Sequence, residues 1–204
     1  MITLDTYFIS DTHFKESGIF KASSKRKSFN SISNIDRTMW KHIQSLSYKD
    51  TLIHLGDLNY KDYSNEIIQN ISSINCHKIF LPGNHDIKNY SFYKKGFNHV
   101  IEGINDIKTD IKDLNALIIK VNKCKILISH FPVFNISEYD KSKDFYPAIL
   151  ELQNIFKKEN CDLNIHGHIH DFQKDTDKSF NVSVENINFK PIQLRDILKQ
   201  KGFL

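Results

Sequence analysis

Five short polar segments carry the side chains in this chain that most readily bind metal ions or transfer protons. In chain order they are SDTH (10–13), GDLN (56–59), GNHD (83–86), SHFP (129–132) and HGHIH (166–170). They offer carboxylates, imidazoles and an amide oxygen but no thiolate, a donor set that suits Mn²⁺, Fe, Zn²⁺, Co²⁺ or Ni²⁺ rather than calcium or a soft metal. The ligands are too many for one tetrahedral ion, so the set indicates two ions that share a bridging carboxylate.

Each polar segment follows a short apolar run with the length and residue types of a buried strand. The predicted strands span 6–10, 50–55, 77–82, 116–121, 125–130 and 162–166. Apolar residues at helical spacing predict helices at 31–46, 64–74 and 144–160. This alternation favours an α/β fold, and the pair 116–121 and 125–130 indicates a hairpin and therefore a mixed sheet. Because functional groups gather at the carboxyl ends of such strands, we expect the five segments to form one site.

Taken one at a time, the segments have plainer interpretations. The Asp of SDTH can cap a helix, the Gly-Asp pair of GDLN can be an ordinary turn, and His130 can be a hydrogen-bonded core histidine. Their joint occurrence at successive strand ends favours a shared site. His54, which lies inside a predicted strand, is interpreted as a strand histidine rather than a ligand.

The order of the segments resembles the calcineurin-like metallophosphoesterases. Their pattern is Asp-x-His, Gly-Asp, Gly-Asn-His-Asp/Glu, a lone His and Gly-His-x-His, and all five blocks are found here between residues 11 and 170. The flanking residues are most similar to a compact bacterial or phage branch of that superfamily. The resemblance implies an α/β fold, specifically a four-layer α/β/β/α sandwich with mixed sheets, here one domain over residues 1–204.

The resemblance also implies a dimetal-dependent hydrolase of phosphate esters. We expect a phosphodiesterase that acts on a nucleotide or nucleic-acid substrate through a metal-bridging hydroxide. A phosphomonoesterase with the same metals is an alternative, since pocket shape alone separates the two activities. A non-catalytic, metal-bound interaction module is a third interpretation, which the intact set of ligands disfavours.

The motif positions assign a role to each residue by the same resemblance. Asp11, His13 and His170 would hold the first ion, Asn84, His130 and His168 the second, and Asp57 would bridge them. His85 corresponds to the catalytic histidine of the family, and Asp86 would orient it. We expect two divalent ions, with Mn²⁺ as the first choice of metal. Such ions attract a phosphate ester and lower the pKa of a shared water.

Two further residues are weaker candidates for substrate contact. The stretch 14–30 has no apolar period and is predicted to be a surface loop. Its basic part, 21–27, either consists of solvated charges or uses Arg26 to grip a second phosphate or a nucleic-acid backbone. His166 either hydrogen-bonds the substrate or caps its strand, and we expect a supporting role for it. Compact relatives often carry HFGH where this chain has HFKES, so a contact from that second histidine is not expected here.

Composition limits the class of protein. The chain has 204 residues with a net charge of +4, which gives little support to a structure-directed nuclease. The aromatic residues Phe80, Phe131 and Phe156 are expected in the core and predict no base-stacking platform. Three distant cysteines predict no disulfide framework, and no apolar run approaches the roughly 20 residues of a membrane helix. We therefore expect a cytoplasmic protein that does not enter membranes.

Overall fold

The computed structural model describes residues 2–59, 65–86, 90–105, 107, 109–111, 114–172 and 175–204. The strands in these residues are β1 (Tyr7–Ile9), β2 (Thr51–His54), β3 (His77–Phe80), β4 (His99–Val100), β5 (Ala116–Val121), β6 (Cys124–Ser129), β7 (Leu163–His166), β8 (Ser179–Asn181) and β9 (Ile192–Gln193). The helices are α1 (Ser17–Ala22), α2 (Ser24–Lys27), α3 (Ile32–Gln44), α4 (Asn65–Ser72), α5 (Tyr90–Tyr93), α6 (Glu138–Lys141), α7 (Tyr146–Lys158) and α8 (Leu194–Gln200). All six predicted strands and all three predicted helices are present, although Ser64, the first predicted residue of α4, lies outside the described residues.

The strands form two mixed sheets. The first has the order β4-β3-β2-β1-β9, in which β9 is antiparallel to β1 and the other neighbours are parallel. The second has the order β5-β6-β7-β8, with β5 antiparallel to β6 and the remaining pairs parallel. The predicted hairpin is β5–β6, and Asn122 in its turn has a φ of 55°. The prediction of a mixed α/β fold is confirmed.

Strand β6 shows how the layers stack. Ile126 and Ile128 belong to the core shared by both sheets, whereas Leu127 packs with Ile149 and Leu152 of helix α7. Because successive side chains of a strand point to opposite faces, α7 covers the outer face of the second sheet. Helices α3, α4 and α8 contribute their buried residues to the large core that contains the strands of the first sheet and the inner face of the second. The layers therefore run helix, sheet, sheet, helix.

The prediction that residues 14–30 form a surface loop was wrong. This stretch contains α1 and α2, and the side chain of Ser23 caps α2 by accepting the N–H of Arg26. Helices of four to six residues are too short to show an apolar period, which is the signal that identified α3, α4 and α7. The same reason applies to α5, α6 and the two-residue strands β4 and β9.

The three cysteines lie in the interior. Cys76, Cys124 and Cys161 are free and buried. No helix in the described part of the chain has the length and apolar character needed to cross a membrane.

Helix α7 provides a direct test of the outer helix–sheet layer. Leu152 is 0% exposed, whereas Leu150 on the same helix is 41% exposed. We expect Leu152→Ala to lower the free energy of unfolding by about 2–5 kcal/mol, because it leaves a cavity against the second sheet. Leu150→Ala, the matched control, should change it by less than about 0.5 kcal/mol. Urea denaturation followed by circular dichroism measures both, and equal losses would contradict this packing.

Candidate metal centre

The five polar segments lie at the carboxyl ends of β1, β2, β3, β6 and β7, where the two sheets come together. Two groups of side chains face one another there, with the ligand atoms of each group within 4.8 Å of each other. The groups are Asp11, His13 and His170, and Asp57, His130 and His168. All of these residues are buried except His168, which is half-buried. Strands from both sheets thus bring six of the seven predicted ligands together.

Asp57 lies between the two groups. Its Oδ2 is 3.6 Å from His13 Nε2, 3.5 Å from His130 Nε2 and 3.7 Å from His85 Nε2. Its Oδ1 accepts the backbone N–H of His85 at 3.0 Å. One carboxylate oxygen therefore faces imidazole nitrogens from both groups, which is the position that a bridging ligand requires.

Asn84, the seventh predicted ligand, faces the second group. Its Oδ1 is 3.0 Å from His130 Nε2, while His130 Nδ1 donates to the carbonyl of Leu55 at 2.7 Å. In the neutral ring, the proton on Nδ1 leaves Nε2 as an acceptor. Two acceptor atoms at this distance repel each other unless a cation lies between them, so this pair fits a metal ion.

Two orphaned atoms show that the first group also fits a metal ion. Asp11 Oδ1 and His13 Nε2 are buried, and neither has a hydrogen-bond partner within the part of the chain that the structure describes. A buried polar atom without a partner is costly, and a coordinated cation removes that cost. Burial by itself raises the pKa of Asp11, but the positive charge that His130, His170 and His13 carry when protonated holds that pKa below its usual range. The carboxylate is therefore ionised and ready to bind a cation.

The imidazoles are oriented by hydrogen bonds on their outer nitrogens. Three carboxylates take part: Glu16 binds His13 Nδ1 at 2.6 Å, Glu185 binds His170 Nδ1 at 3.1 Å, and Asp140 binds His168 Nε2 at 3.1 Å. Each bond turns the other ring nitrogen towards the cluster and raises its basicity. The sequence did not predict the role of these three carboxylates, because they lie outside the five motif segments.

The backbone of the site is strained. The five residues with φ between 45° and 70° at the cluster are Asp11, His13, Asp57, His168 and His170. Residues other than glycine rarely adopt this left-handed region, and where they do the surrounding structure holds them in place, usually for function. The strained turns at the strand ends aim the side chains inwards.

Two glycines leave room for the ligands. A Cβ at Gly83 would collide with Asp57 Oδ1 and the ring of His130, and a Cβ at Gly167 would collide with Ser10 Oγ and Asp11 Oδ2. Any other residue at these positions would displace a carboxylate of the cluster. Both glycines are therefore required by close packing.

His85 and Asp86 are placed differently from each other. His85 lines an open cavity of about 570 Å³ above the cluster, together with Asp57, Asn84, His168 and His170. Asp86 is buried below it and accepts backbone N–H groups from Asp57 at 2.6 Å, Gly83 at 2.8 Å and Leu58 at 3.3 Å. Burial and the neighbouring charge of Asp57 raise the pKa of Asp86. The expectation that Asp86 orients the His85 ring is corrected, since Asp86 instead joins the loops that carry Asp57 and His85.

The predicted substrate contacts of Arg26 and His166 are also corrected. Arg26 is 2% exposed, and its nitrogens donate to Glu185 at 2.5 Å and to the carbonyls of Asp11 at 2.5 Å and Thr12 at 3.0 Å. His166 is buried, with Nδ1 bonded to the carbonyl of Gly167 and Nε2 3.3 Å from Asp175. Neither residue lines the cavity. Both serve the structure around the cluster.

His54 is the strand histidine that the sequence predicted. Its Nε2 lies 3.0 Å from the hydroxyl of Thr12, and its Nδ1 accepts the N–H of Gly56 at 3.2 Å. Burial lowers its pKa to about 3, so the ring is neutral. It supports the Asp57 turn from inside the sheet.

The family model described as "Calcineurin-like phosphoesterase" matches residues 4–172. The chain belongs to this family. It is therefore a metallophosphoesterase, and the family assignment made from the five motifs is confirmed. The proposed compact bacterial or phage branch stays a prediction.

Two relatives of similar length match nearly the whole chain. An uncharacterized protein of Methanocaldococcus jannaschii is 27% identical over 207 residues, which cover 96% of this chain and 92% of that protein. The crystal structure of a protein of unknown function from Aquifex aeolicus superimposes with a TM-score of 0.72 at 28% identity, covering 96% of this phosphoesterase and 98% of that chain.

A third match is partial. The DNA-directed RNA polymerase subunit beta of Eimeria tenella is 29% identical over 117 residues, or 54% of this chain. The matched region spans 10% of that subunit, so the likeness concerns a small part of a much longer protein.

Arg26 gives a test of how the first group is held. Its guanidinium joins the carbonyls of Asp11 and Thr12 to Glu185, which in turn orients His170. We expect Arg26→Ala to weaken Mn²⁺ binding about 10- to 100-fold. It should also lower the free energy of unfolding by about 3–5 kcal/mol, since Glu185 is left buried without its cation.

Isothermal titration with Mn²⁺ and urea denaturation measure the two effects of the Arg26 change. The exposed Arg37 of α3 provides the matched control, and Arg37→Ala should alter neither quantity appreciably. Unchanged Mn²⁺ affinity in Arg26→Ala would show that Arg26 does not position the metal ligands.

Proposed function

We propose that this metallophosphoesterase hydrolyses phosphodiesters of nucleotides or nucleic acids at a centre of two divalent metal ions. The observation that carries the proposal is the position of Asp57 Oδ2, which faces His13 and His130 from opposite ligand groups beneath an open cavity. Membership of the calcineurin-like phosphoesterase family supports hydrolysis of phosphate esters. The preference for a diester and for a nucleotide is our own inference.

In this proposal each group of ligands holds one ion. Asp11, His13 and His170 hold the first, Asn84, His130 and His168 hold the second, and Asp57 is shared. When bound, the ions supply Lewis acidity to the phosphoryl oxygens and lower the pKa of a water molecule. We propose Mn²⁺, because carboxylate, imidazole and amide oxygen ligands without thiolate suit it.

His85 is the residue to which we assign proton transfer. Its ring lines the cavity outside both ligand groups, and its backbone N–H is fixed by Asp57 Oδ1. From there the imidazole can donate a hydrogen bond to a phosphoryl oxygen or a proton to the leaving oxygen. The role needs no side-chain nucleophile from the protein.

The cavity supports a diester over a monoester. Besides the polar residues above the cluster, its wall includes Ile19, Phe145, Ile169 and Phe172, which offer apolar surface to an organic substituent. A diester has a second such substituent, whereas a monoester presents only one.

We also propose the cytoplasm as the place of action, supported by the three free, buried cysteines.

Two model substrates distinguish the proposed activity from its alternatives. With Mn²⁺, we expect kcat/KM for bis-p-nitrophenyl phosphate to exceed that for p-nitrophenyl phosphate by about tenfold, a difference of about 1.4 kcal/mol in transition-state binding. Release of p-nitrophenolate measures both rates, and EDTA should abolish them. A preference for the monoester would favour the phosphomonoesterase, and no turnover with two metals bound would favour the interaction module.

Substitutions of His85 and Asp57 separate catalysis from metal binding. We expect His85→Ala to retain two Mn²⁺ ions per chain while kcat falls about 10²- to 10⁴-fold, because only proton transfer is lost. Asp57→Asn should lower both metal content and activity, because the shared ligand loses its charge. Elemental analysis of the purified proteins gives the metal content.

The exposed His77 at the start of β3 provides a control for the histidine substitution, and His77→Ala should keep both metals and full activity. Loss of the metals in His85→Ala would overturn the assignment of His85 to catalysis.

A further inference from the structure

Two exposed aromatic rings stand at the mouth of the cavity above the candidate metal centre. Tyr139 is 65% exposed and Phe172 is 62% exposed. Both line the same cavity as His85, His168 and His170. Exposed apolar surface that borders a cavity is a common feature of ligand-binding sites.

Each ring is tied to a different group of candidate metal ligands. The ring of Phe172 meets that of His170 edge to face, with centroids 5.8 Å apart and an interplanar angle of 64°. Tyr139 lies in α6 beside Asp140, whose carboxylate binds His168 Nε2 at 3.1 Å. Both rings therefore lie beside residues of the candidate metal centre and border the cavity above it.

Helix α6 holds Tyr139 in a defined place despite its exposure. Ser137 and Asp140 form a capping box, in which the backbone N–H of Ser137 donates to the Asp140 carboxylate at 3.2 Å and the hydroxyl of Ser137 accepts the backbone N–H of Asp140 at 3.0 Å. The ammonium group of Lys143 lies 4.0 Å from the centre of the Tyr139 ring. This cation–π contact covers one part of the ring and limits its rotation.

The surroundings of the rings match a flat group with polar edges. Phe145 and Ile19 add apolar wall, while Asn84 and His85 offer polar groups deeper in the cavity. A nucleobase stacks on aromatic rings, and its attached sugar is polar. An alkyl chain would contact the apolar wall but has no flat face to stack on the two rings.

We infer that Tyr139 and Phe172 form a base-binding subsite, which holds the nucleobase of a phosphate ester by stacking while its phosphate lies at the metal centre. This inference rests on the proposed function and deepens it, since it makes the substrate a nucleoside ester and these two residues determinants of specificity. The sequence did not predict the subsite, because the aromatic residues considered there are the buried Phe80, Phe131 and Phe156.

Binding of two phosphates that differ only by a base tests the subsite without requiring turnover. We expect AMP to bind the Mn²⁺-loaded protein about tenfold more tightly than ribose 5-phosphate in isothermal titration, because stacking on an aromatic ring favours the base. Phe172→Ala and Tyr139→Ala should each reduce this preference several-fold while the Kd of ribose 5-phosphate stays the same. Phe172→Trp, which keeps a ring, should retain the preference.

The exposed Tyr48 provides the matched control, and Tyr48→Ala should behave as the unmodified protein in both titrations. Equal affinity for AMP and ribose 5-phosphate in the unmodified protein would overturn the subsite. So would equal loss of affinity for both phosphates in Phe172→Ala. Tight binding of octyl phosphate, equal to that of AMP, would show a general apolar surface and would also overturn it.

The binding results separate this inference from the proposed function. If the protein prefers AMP over ribose 5-phosphate but hydrolyses no diester, the subsite is supported and the proposed activity is overturned. If it hydrolyses diesters without that preference, the activity is supported and the subsite is overturned.

Discussion

The close approach of acceptor atoms at the carboxyl ends of the strands is the constraint on which the rest of the structure depends. The Nε2 atom of His130 lies 3.5 Å from Asp57 Oδ2 and 3.0 Å from Asn84 Oδ1. Acceptors buried this closely without donors are unfavourable unless cations join them. The strained turns and the two close-packed glycines hold these atoms in place. Because residues in strained backbone conformations cost free energy, this preformed binding site lowers the stability of the fold locally.

The two sheets are locked together directly beneath the cluster. The N–H of Ser10 donates to the carbonyl of Val182 at 3.0 Å, and the N–H of Val184 donates to the carbonyl of Ser10 at 3.1 Å. These bonds join the end of β1 in the first sheet to the chain that follows β8 in the second. Because Asp11 comes next after Ser10 and Glu185 next after Val184, the same connection positions a ligand of the first group and the carboxylate that orients His170.

The sequence predicted the features that depend on residues close together in the chain. Its predictions were wrong for side chains whose surroundings come from distant parts of the chain. Long apolar periods identified α3 and α7, and apolar runs followed by polar turns identified the strands and the candidate ligands. Arg26 was misjudged because its environment is set by Glu185, which lies 159 positions away. Asp86 was misjudged because its backbone partners near Asp57 come from another loop. The exposure of Phe172 could not be predicted either, because a single exposed aromatic residue produces no recognisable pattern in the sequence.

Charge balance links the outer carboxylates to the proposed substrate. Two divalent ions would bring four positive charges and Arg26 adds a fifth, while five carboxylates of the described residues surround them: Asp11, Asp57, Glu16, Asp140 and Glu185. Asp86, buried below the cluster, adds a sixth carboxyl group, and burial raises its pKa. In the proposed function, a loaded centre that is close to neutral would attract a singly charged diester through its local ions and would hold a doubly charged product less strongly than a cationic pocket. The carboxylates behind the imidazoles thus orient the ligands and would also balance the charge that the ions bring.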